Sequence, residues 1–147
     1  MSYLLDTCVL SKLSKIKAHP DPKLASWIIK HPETSYFISV ITLGEIQAGI
    51  SKLKESHPEQ KKQRMQLEDW LFGDLIPRFQ SRVLDITPEI ALTWGRLSGA
   101  GLQAGTIVPI GDGLIAATAI LHGLMVVTEN AKHFSCSGVE VVNPWML

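Results

Sequence analysis

Four short segments, far apart in the chain, each place one acidic or amide side chain where an apolar run gives way to polar residues. They are Tyr3-Leu4-Leu5-Asp6-Thr7, Thr42-Leu43-Gly44-Glu45, Pro109-Ile110-Gly111-Asp112-Gly113 and Val126-Val127-Thr128-Glu129-Asn130. Brought together, Asp6, Glu45, Asp112 and Asn130 form an oxygen-rich cluster suited to a hard divalent cation such as Mg²⁺. Attack on a phosphodiester builds negative charge on oxygen, and a bound divalent ion offsets that charge while making hydroxide available near neutral pH. Asp6 and Asp112 are the expected direct ligands. Glu45 is a ligand through water or an orienter of the nucleophile, and Asn130 is an uncharged oxygen donor behind them. Thr7 and Thr128 can orient water or phosphate by hydrogen bonds.

Each residue also has a plain structural reading. Asp6 before Thr7 can cap a short helix, Glu45 three residues after Thr42 fits a capping box, and Asn130 suits a turn. Asp112 is flanked by glycines and opens a helix whose Leu114-Ile115-Ala116-Ala117-Thr118-Ala119-Ile120 is apolar or small nearly all round. Such a helix is buried, so a carboxylate on its first turn needs a reason. The conjunction of the four segments weighs more than any one of them.

The elements that must position these residues follow from hydrophobic period. Short apolar runs at Ser2–Leu5, Tyr36–Val40, Arg82–Leu84, Leu124–Thr128 and Val139–Val142 suit buried strands, with helix-period segments between them. Alternation of that kind implies a parallel sheet, in which ligands bind outside the carboxyl ends of strands where strand order reverses. Asp6 ends the first strand, and Asn130 follows the fourth. Glu45 and Asp112 fall in the first turns of helices starting at the same edge, where free N–H groups and the dipole favour carboxylates. Asp21-Pro22 opens a helix running toward Lys30, Thr87-Pro88-Glu89 opens one through Ala104, and Gly123 closes the one from Asp112. Pro58–Phe79 is helical in pattern with a break at Gly73 and Pro77. The four-glycine stretch Gly99–Gly111 is expected as a mobile loop beside the site.

Composition sets the class. A chain of 147 residues fits a single domain over 1–147, and 14 basic against 14 acidic residues leave no net charge to draw nucleic acid, so any such surface is a local patch. Lys12, Lys15, Lys17, Lys52, Lys54, Lys61, Lys62 and Arg64 crowd the first half. The run Lys52–Arg64 is a solvated helical face, or an RNA-backbone track if it borders the cleft. Cys8 and Cys136 lack metal-site spacing and are expected as reduced thiols. No apolar run approaches the roughly 18 residues of a membrane span, and the start has no signal-peptide pattern, so a cytoplasmic protein is expected. His19, His31, His57, His122 and His133 lack the paired spacing of a zinc site and are assigned surface or turn roles. Trp27, Trp70, Trp94 and Trp145 are expected in core or interface positions. No Gly-rich phosphate loop ends in Lys-Ser/Thr. A dehalogenase-like phosphatase would want a second Asp where Cys8 stands.

The motifs Leu4-Leu5-Asp6-Thr7-Cys8-Val9-Leu10, Ser39-Val40-Ile41-Thr42-Leu43-Gly44-Glu45-Ile46-Gln47-Ala48-Gly49-Ile50, Pro109-Ile110-Gly111-Asp112-Gly113-Leu114-Ile115-Ala116-Ala117-Thr118-Ala119 and Val127-Thr128-Glu129-Asn130-Ala131-Lys132-His133-Phe134 resemble those of PIN-domain nucleases. Within that family the resemblance is to VapC toxins of type II toxin–antitoxin modules, in the subgroup that includes FitB. It extends to Val142-Asn143-Pro144-Trp145. It implies a three-layer α/β/α fold with a parallel sheet of about five strands, and a Mg²⁺- or Mn²⁺-dependent endoribonuclease acting on structured RNA such as tRNA. The family's metal-binding acids carry over to Asp6, Glu45 and Asp112, and its fourth position, Asp or Asn, to Asn130. Glu129 stands where relatives usually have Arg, and His133 where they often have Asp. The resemblance further implies inhibition by a cognate VapB-like antitoxin; because an open acidic pocket suits a basic side chain, its tail is expected to lay an apolar helix near Ile46, Ile50 and the Leu53–Leu67 helices and put an Arg or Lys among the three acids. A homodimer through apolar helix faces is expected, since 46% hydrophobic residues is generous for a lone domain. The alternative is a catalytically weak binding module of the same fold, acting in a DNA-bound complex with its antitoxin.

Overall fold

The computed structural model describes residues 1–14, 21–103, 105, 107–135 and 137–147, so Lys15, Lys17, His19, Ala104 and Cys136 lie outside the described residues. Strands β1 (Tyr3–Leu5), β2 (Tyr36–Ser39), β3 (Val83–Leu84), β4 (Met125–Val127) and β5 (Val141–Val142) pair in parallel in the order β3-β2-β1-β4-β5. Helices are α1 (Thr7–Leu13), α2 (Pro22–Ile29), α3 (Val40–Ser56), α4 (Lys61–Trp70), α5 (Ile76–Phe79), α6 (Pro88–Gln103) and α7 (Ile110–His122). Register runs Leu4 beside Phe37 on one side and Val126 on the other.

Period-two alternation gives each strand two apolar faces, because helices cover the sheet on both sides. Tyr3, Leu5, Tyr36, Ile38 and Val127 pack with Val9, Leu24, Trp27, Ile46, Ile50 and Trp70. Leu4 and Val126 pack on the other face with Ile115, Ala116, Ala119 and Phe134. The small residues of α7 let that helix lie close to β1 and β4. The result is the expected three-layer α/β/α arrangement, with strand order reversing between β1 and β4.

Element ends show where local chemistry won. Asp21 caps α2 by accepting the N–H groups of Lys23 and Leu24, Thr87 Oγ1 accepts the Ile90 N–H, and Gly123 closes α7 in the left-handed region at φ 65°. The capping box at Thr42 and Glu45 does not form. β2 passes directly into α3 at Val40, so the cap is Ser39, whose hydroxyl accepts the Ile41 N–H at 3.0 Å. Glu45 consequently sits in the second turn rather than the first. Gly73 and Pro77 do not break the chain. Leu71–Leu75 widens into a π turn, with the Ile76 N–H donating to Leu71 O, and the missing N–H of Pro77 is absorbed as α5 begins. Residues Gly99–Gln103 belong to α6 rather than to a loop, since that helix's apolar face against α7 outweighs the cost of its glycines.

Candidate functional site

Asp6 and Thr128 leave the carboxyl ends of the two strands between which the order reverses, and the Asp6 N–H donates to Val127 O at 3.0 Å. Asp6 is 4% exposed. Its Oδ1 accepts the Thr7 N–H at 2.8 Å, so it does cap α1, and its Oδ2 accepts the Thr128 hydroxyl at 2.7 Å and the Cys8 thiol at 3.4 Å. The capping reading and the functional reading of Asp6 therefore both hold in geometry.

Glu45 projects from α3 toward the same edge. Its Oε1 accepts the Thr7 hydroxyl at 2.7 Å, and that hydroxyl lies 3.0 Å from the hydroxyl of Thr42, which is wholly buried beneath. Gly111 makes room for it. A Cβ at residue 111 would meet Glu45 Oε2 at 2.8 Å, so the glycine at the second position of α7 is what admits the carboxylate. Asp112 follows on the first turn of α7, its Oδ2 2.8 Å from His133 Nδ1. Its other flank, Gly113, lies so near the Trp94 indole that a Cβ would meet Trp94 Cδ1 at 2.7 Å.

Asn130 opens the short 3-10 turn Ala131–Phe134, with its N–H donating to Thr128 Oγ1 at 3.0 Å; its side chain does not cap that turn. Thr128 thus ties Asn130 to Asp6. Glu129 turns away from the acids to Lys12, whose Nζ is 2.6 Å from Glu129 Oε2 and lies over the Trp145 ring.

The electrostatics link the acids. Although much of Glu45 is exposed, desolvation around its carboxyl group raises its pKa, the Thr7 hydrogen bond partly offsets this, and the charges of Asp6 and Asp112 raise it further. Asp112 is raised by burial and then by Asp6, while the hydrogen bond and charge of His133 pull it back. Among the described residues no Lys or Arg pairs with Asp6, Glu45 or Asp112. Neither are three His, Cys, Asp or Glu side chains among them already closed into a ready metal cage. The donor set nevertheless fits a hard cation: burial, and then neighbouring carboxylate charge, make Glu45 and Asp112 costlier to ionise, and a divalent ion is what relieves this.

A groove of about 340 Å³ leaves the site between α1, α3 and α4, lined by Thr7, Glu45, Ile46, Gly49, Ile50, Leu53, Leu67 and Trp70. Exposed Lys52 and Lys54 flank Leu53 on α3, and Lys61 and Lys62 begin α4. Sequence reasoning missed two residues here. Thr42, taken for a cap, forms part of the site's floor. His133, assigned a surface or turn role, touches Asp112; its place in the last motif, where PIN-domain relatives often have Asp, is the available signal.

Residues 3–135 match the PIN domain family. The VapC ribonuclease Y4jK of Sinorhizobium fredii is 31% identical over 97% of this chain and 96% of its own. The toxin FitB of Neisseria gonorrhoeae is 28% identical over 97% of both chains. The crystal structure of FitAcB from that organism superposes with a TM-score of 0.86 over 99% of both chains at 28% identity. VapBC2 from Rickettsia felis bound to a DNA fragment from their promoter superposes at 0.70 and 28% identity, over 97% of this chain and 98% of that one. With the family match spanning most of the chain and relatives covered over nearly their whole length, the chain belongs to the PIN domain family, among its VapC- and FitB-type members.

Proposed function

We propose that the protein is a Mg²⁺- or Mn²⁺-dependent endoribonuclease, a single PIN domain over 1–147, that serves as the toxin of a type II toxin–antitoxin module in the cytoplasm and cleaves structured RNA such as tRNA. The observation that carries this reading is the gathering of Asp6, Glu45 and Asp112, without a Lys or Arg partner among the described residues, at the switch point between β1 and β4, where burial and the Asp6 charge make Glu45 and Asp112 costlier to ionise. When bound, the cation supplies charge neutralisation at the scissile phosphate and a more acidic attacking water.

Asp6 and Asp112 would hold the ion, Asp6 with Oδ1 on the Thr7 N–H and Oδ2 on the Thr128 hydroxyl, and Asp112 with Oδ2 beside His133 Nδ1. Glu45, steered by Thr7 through Oε1, keeps Oε2 free to receive a proton from the attacking water, a task its raised pKa favours. Asn130 adds an uncharged oxygen donor. Thr7 and Thr128 keep these groups in place, and the lysines along α3 and α4 attract the RNA backbone.

A free endoribonuclease would damage its own cell. The partner is a small VapB-like antitoxin whose tail folds an apolar helix into the groove at Ile46, Ile50 and Leu53 and places an Arg or Lys among the acids. Leu92 of α6 and Ile110 of α7, 62% and 65% exposed, supply apolar helix surface for a homodimer. The DNA-bound relative favours a second reading, a catalytically weak binding module acting with its antitoxin on DNA.

One assay decides. Partner-free protein is incubated with structured RNAs in Mg²⁺, Mn²⁺ or EDTA, beside Asp112→Asn. Cleavage by wild type with metal and by neither control supports the nuclease; a folded wild type inert with both metals leaves the binding module.

A further inference from the structure

Asp112 is held from a second element. The turn Ala131–Phe134 carries His133 to within 2.8 Å of Asp112 Oδ2 through ring Nδ1, and the turn itself is fixed by Phe134, 1% exposed, in the core beside Ile115 and Ala116. The His133 backbone N–H donates to Asn130 O at 2.9 Å. One residue therefore joins the loop of Asn130 to the first turn of α7. The ring borders a narrow cleft with Trp94, Val108, Gly113 and Ala116.

We propose that His133 is a positioning residue whose Nδ1–H, donated to Asp112 Oδ2, fixes that carboxylate and leaves Oδ1 free to ligate the cation that Asp112 would hold. The inference rests on Asp112 being a cation ligand, as argued above. An Nδ1–H is available both from one neutral tautomer and from the charged ring, so the role needs no charge on histidine. A carboxylate free to rotate would sample ligating and non-ligating orientations. One oxygen tethered by a hydrogen-bonded ring removes that freedom, as hydrogen-bonded outer partners do for metal ligands generally.

The test uses the full chain with Mn²⁺ alone and then with RNA. His133→Phe keeps the ring's bulk and removes the donor, whereas His133→Asn returns an amide N–H near the place of Nδ1. The Phe variant should bind Mn²⁺ about 10–100-fold more weakly in a titration of free ion, the scale for loss of such a partner. Its single-turnover cleavage should slow with KM for RNA unchanged, and the Asn variant should recover most of both losses at an unchanged melting temperature. Nitrogen NMR of the wild type should show a protonated, pyrrole-like Nδ1, a readout that does not depend on any variant folding. A pyridine-like Nδ1, a Phe variant that binds Mn²⁺ as wild type does, or an Asn variant no better than Phe would each overturn the positioning role. Wild-type protein that binds no Mn²⁺ would instead overturn the cation reading beneath it.

Discussion

At the scale of single residues, burial and neighbouring carboxylate charge make Glu45 and Asp112 costlier to ionise, and this shapes stability as well as chemistry. Glu45 and Asp112 have raised pKa values in the folded state. Protons therefore bind the fold more tightly than the unfolded chain, so the stability these groups contribute is complete below the ordinary carboxylate pKa and is lost as pH rises through the raised values. Metal-free protein should gain melting temperature as pH falls from neutral toward that window, while excess Mn²⁺ should reverse the slope because protons then compete with the ion. At neutral pH, metal at a hundredfold excess over its Kd should add about 2.7 kcal/mol. Glu45→Gln should raise metal-free stability by about 0.5 kcal/mol, the scale of partly exposed charge interactions, and shrink the metal-induced shift. Melting curves with and without Mn²⁺ check both, and no shift in wild type at millimolar metal would remove the shared site. Cys8 gives a second residue-scale prediction. Burial and the Asp6 charge push its thiol pKa from 9.0 to about 11. Native protein at pH 8 should thus carry about a hundredfold less Cys8 thiolate than urea-unfolded protein and alkylate correspondingly slowly, measured by peptide mass spectrometry. Rapid native alkylation at Cys8 would show that this pocket is far wetter than its contacts imply.

At the scale of elements, the glycines of α7 have separable effects. Gly111→Ala puts a methyl where Glu45 Oε2 now lies, but that oxygen ends a flexible side chain, and alanine favours the helix by up to about 1 kcal/mol. Folding should survive while cleavage falls roughly tenfold to a hundredfold, because a displacement near 1 Å is enough to misalign a reacting group. Gly113→Ala meets the rigid Trp94 ring instead and should cost about 1–3 kcal/mol by overpacking. Thermal melts beside rate measurements separate the two; equal destabilisation would mean that Glu45 is less mobile than assumed. How much of this was legible follows the same logic. Strand positions could be read because apolar runs buried on both faces leave a signal independent of partners, as at Leu4 and Val126. The edge gathering Asp6, Glu45, Asp112 and Asn130 followed from parallel topology. Helix starts were less legible. Ser39 outcompeted Thr42 as a cap because β2 runs straight into α3, a tertiary fact absent from local spacing. The Gly99–Gln103 helix was hidden because glycine content lowers intrinsic preference, while packing of α6 on α7 is nonlocal. The His133–Asp112 contact spans 21 positions and has no periodic signature at all.

At the scale of the whole molecule, equal numbers of acidic and basic residues conceal a division of surface, with the acids at the switch point and lysines along α3 and the start of α4. The groove between them passes from Glu45 down α3 to Leu53 and Leu67. Its acidic end suits a cationic side chain and its apolar length suits one helix face, which is why neutralisation by an antitoxin and catalysis can be separated by mutation. Gly49 lines that groove on the exposed side of α3, and a Cβ there would meet nothing within 4 Å. Gly49→Met should therefore fold at least as stably as wild type and cleave RNA at an unchanged rate, since the residue lies a turn beyond Glu45. The added side chain would occupy the volume an antitoxin helix needs. Binding of the proposed cognate antitoxin should weaken at least tenfold, about 1.4 kcal/mol or more. Calorimetry on the purified pair measures the affinity, and co-expression gives its consequence in cells: Gly49→Met should arrest growth at antitoxin levels that rescue wild type, while Asp6→Ala should be harmless with no partner. Undiminished rescue of the Gly49→Met protein would move the antitoxin out of this groove, and toxicity retained by Asp6→Ala would take the nuclease with it.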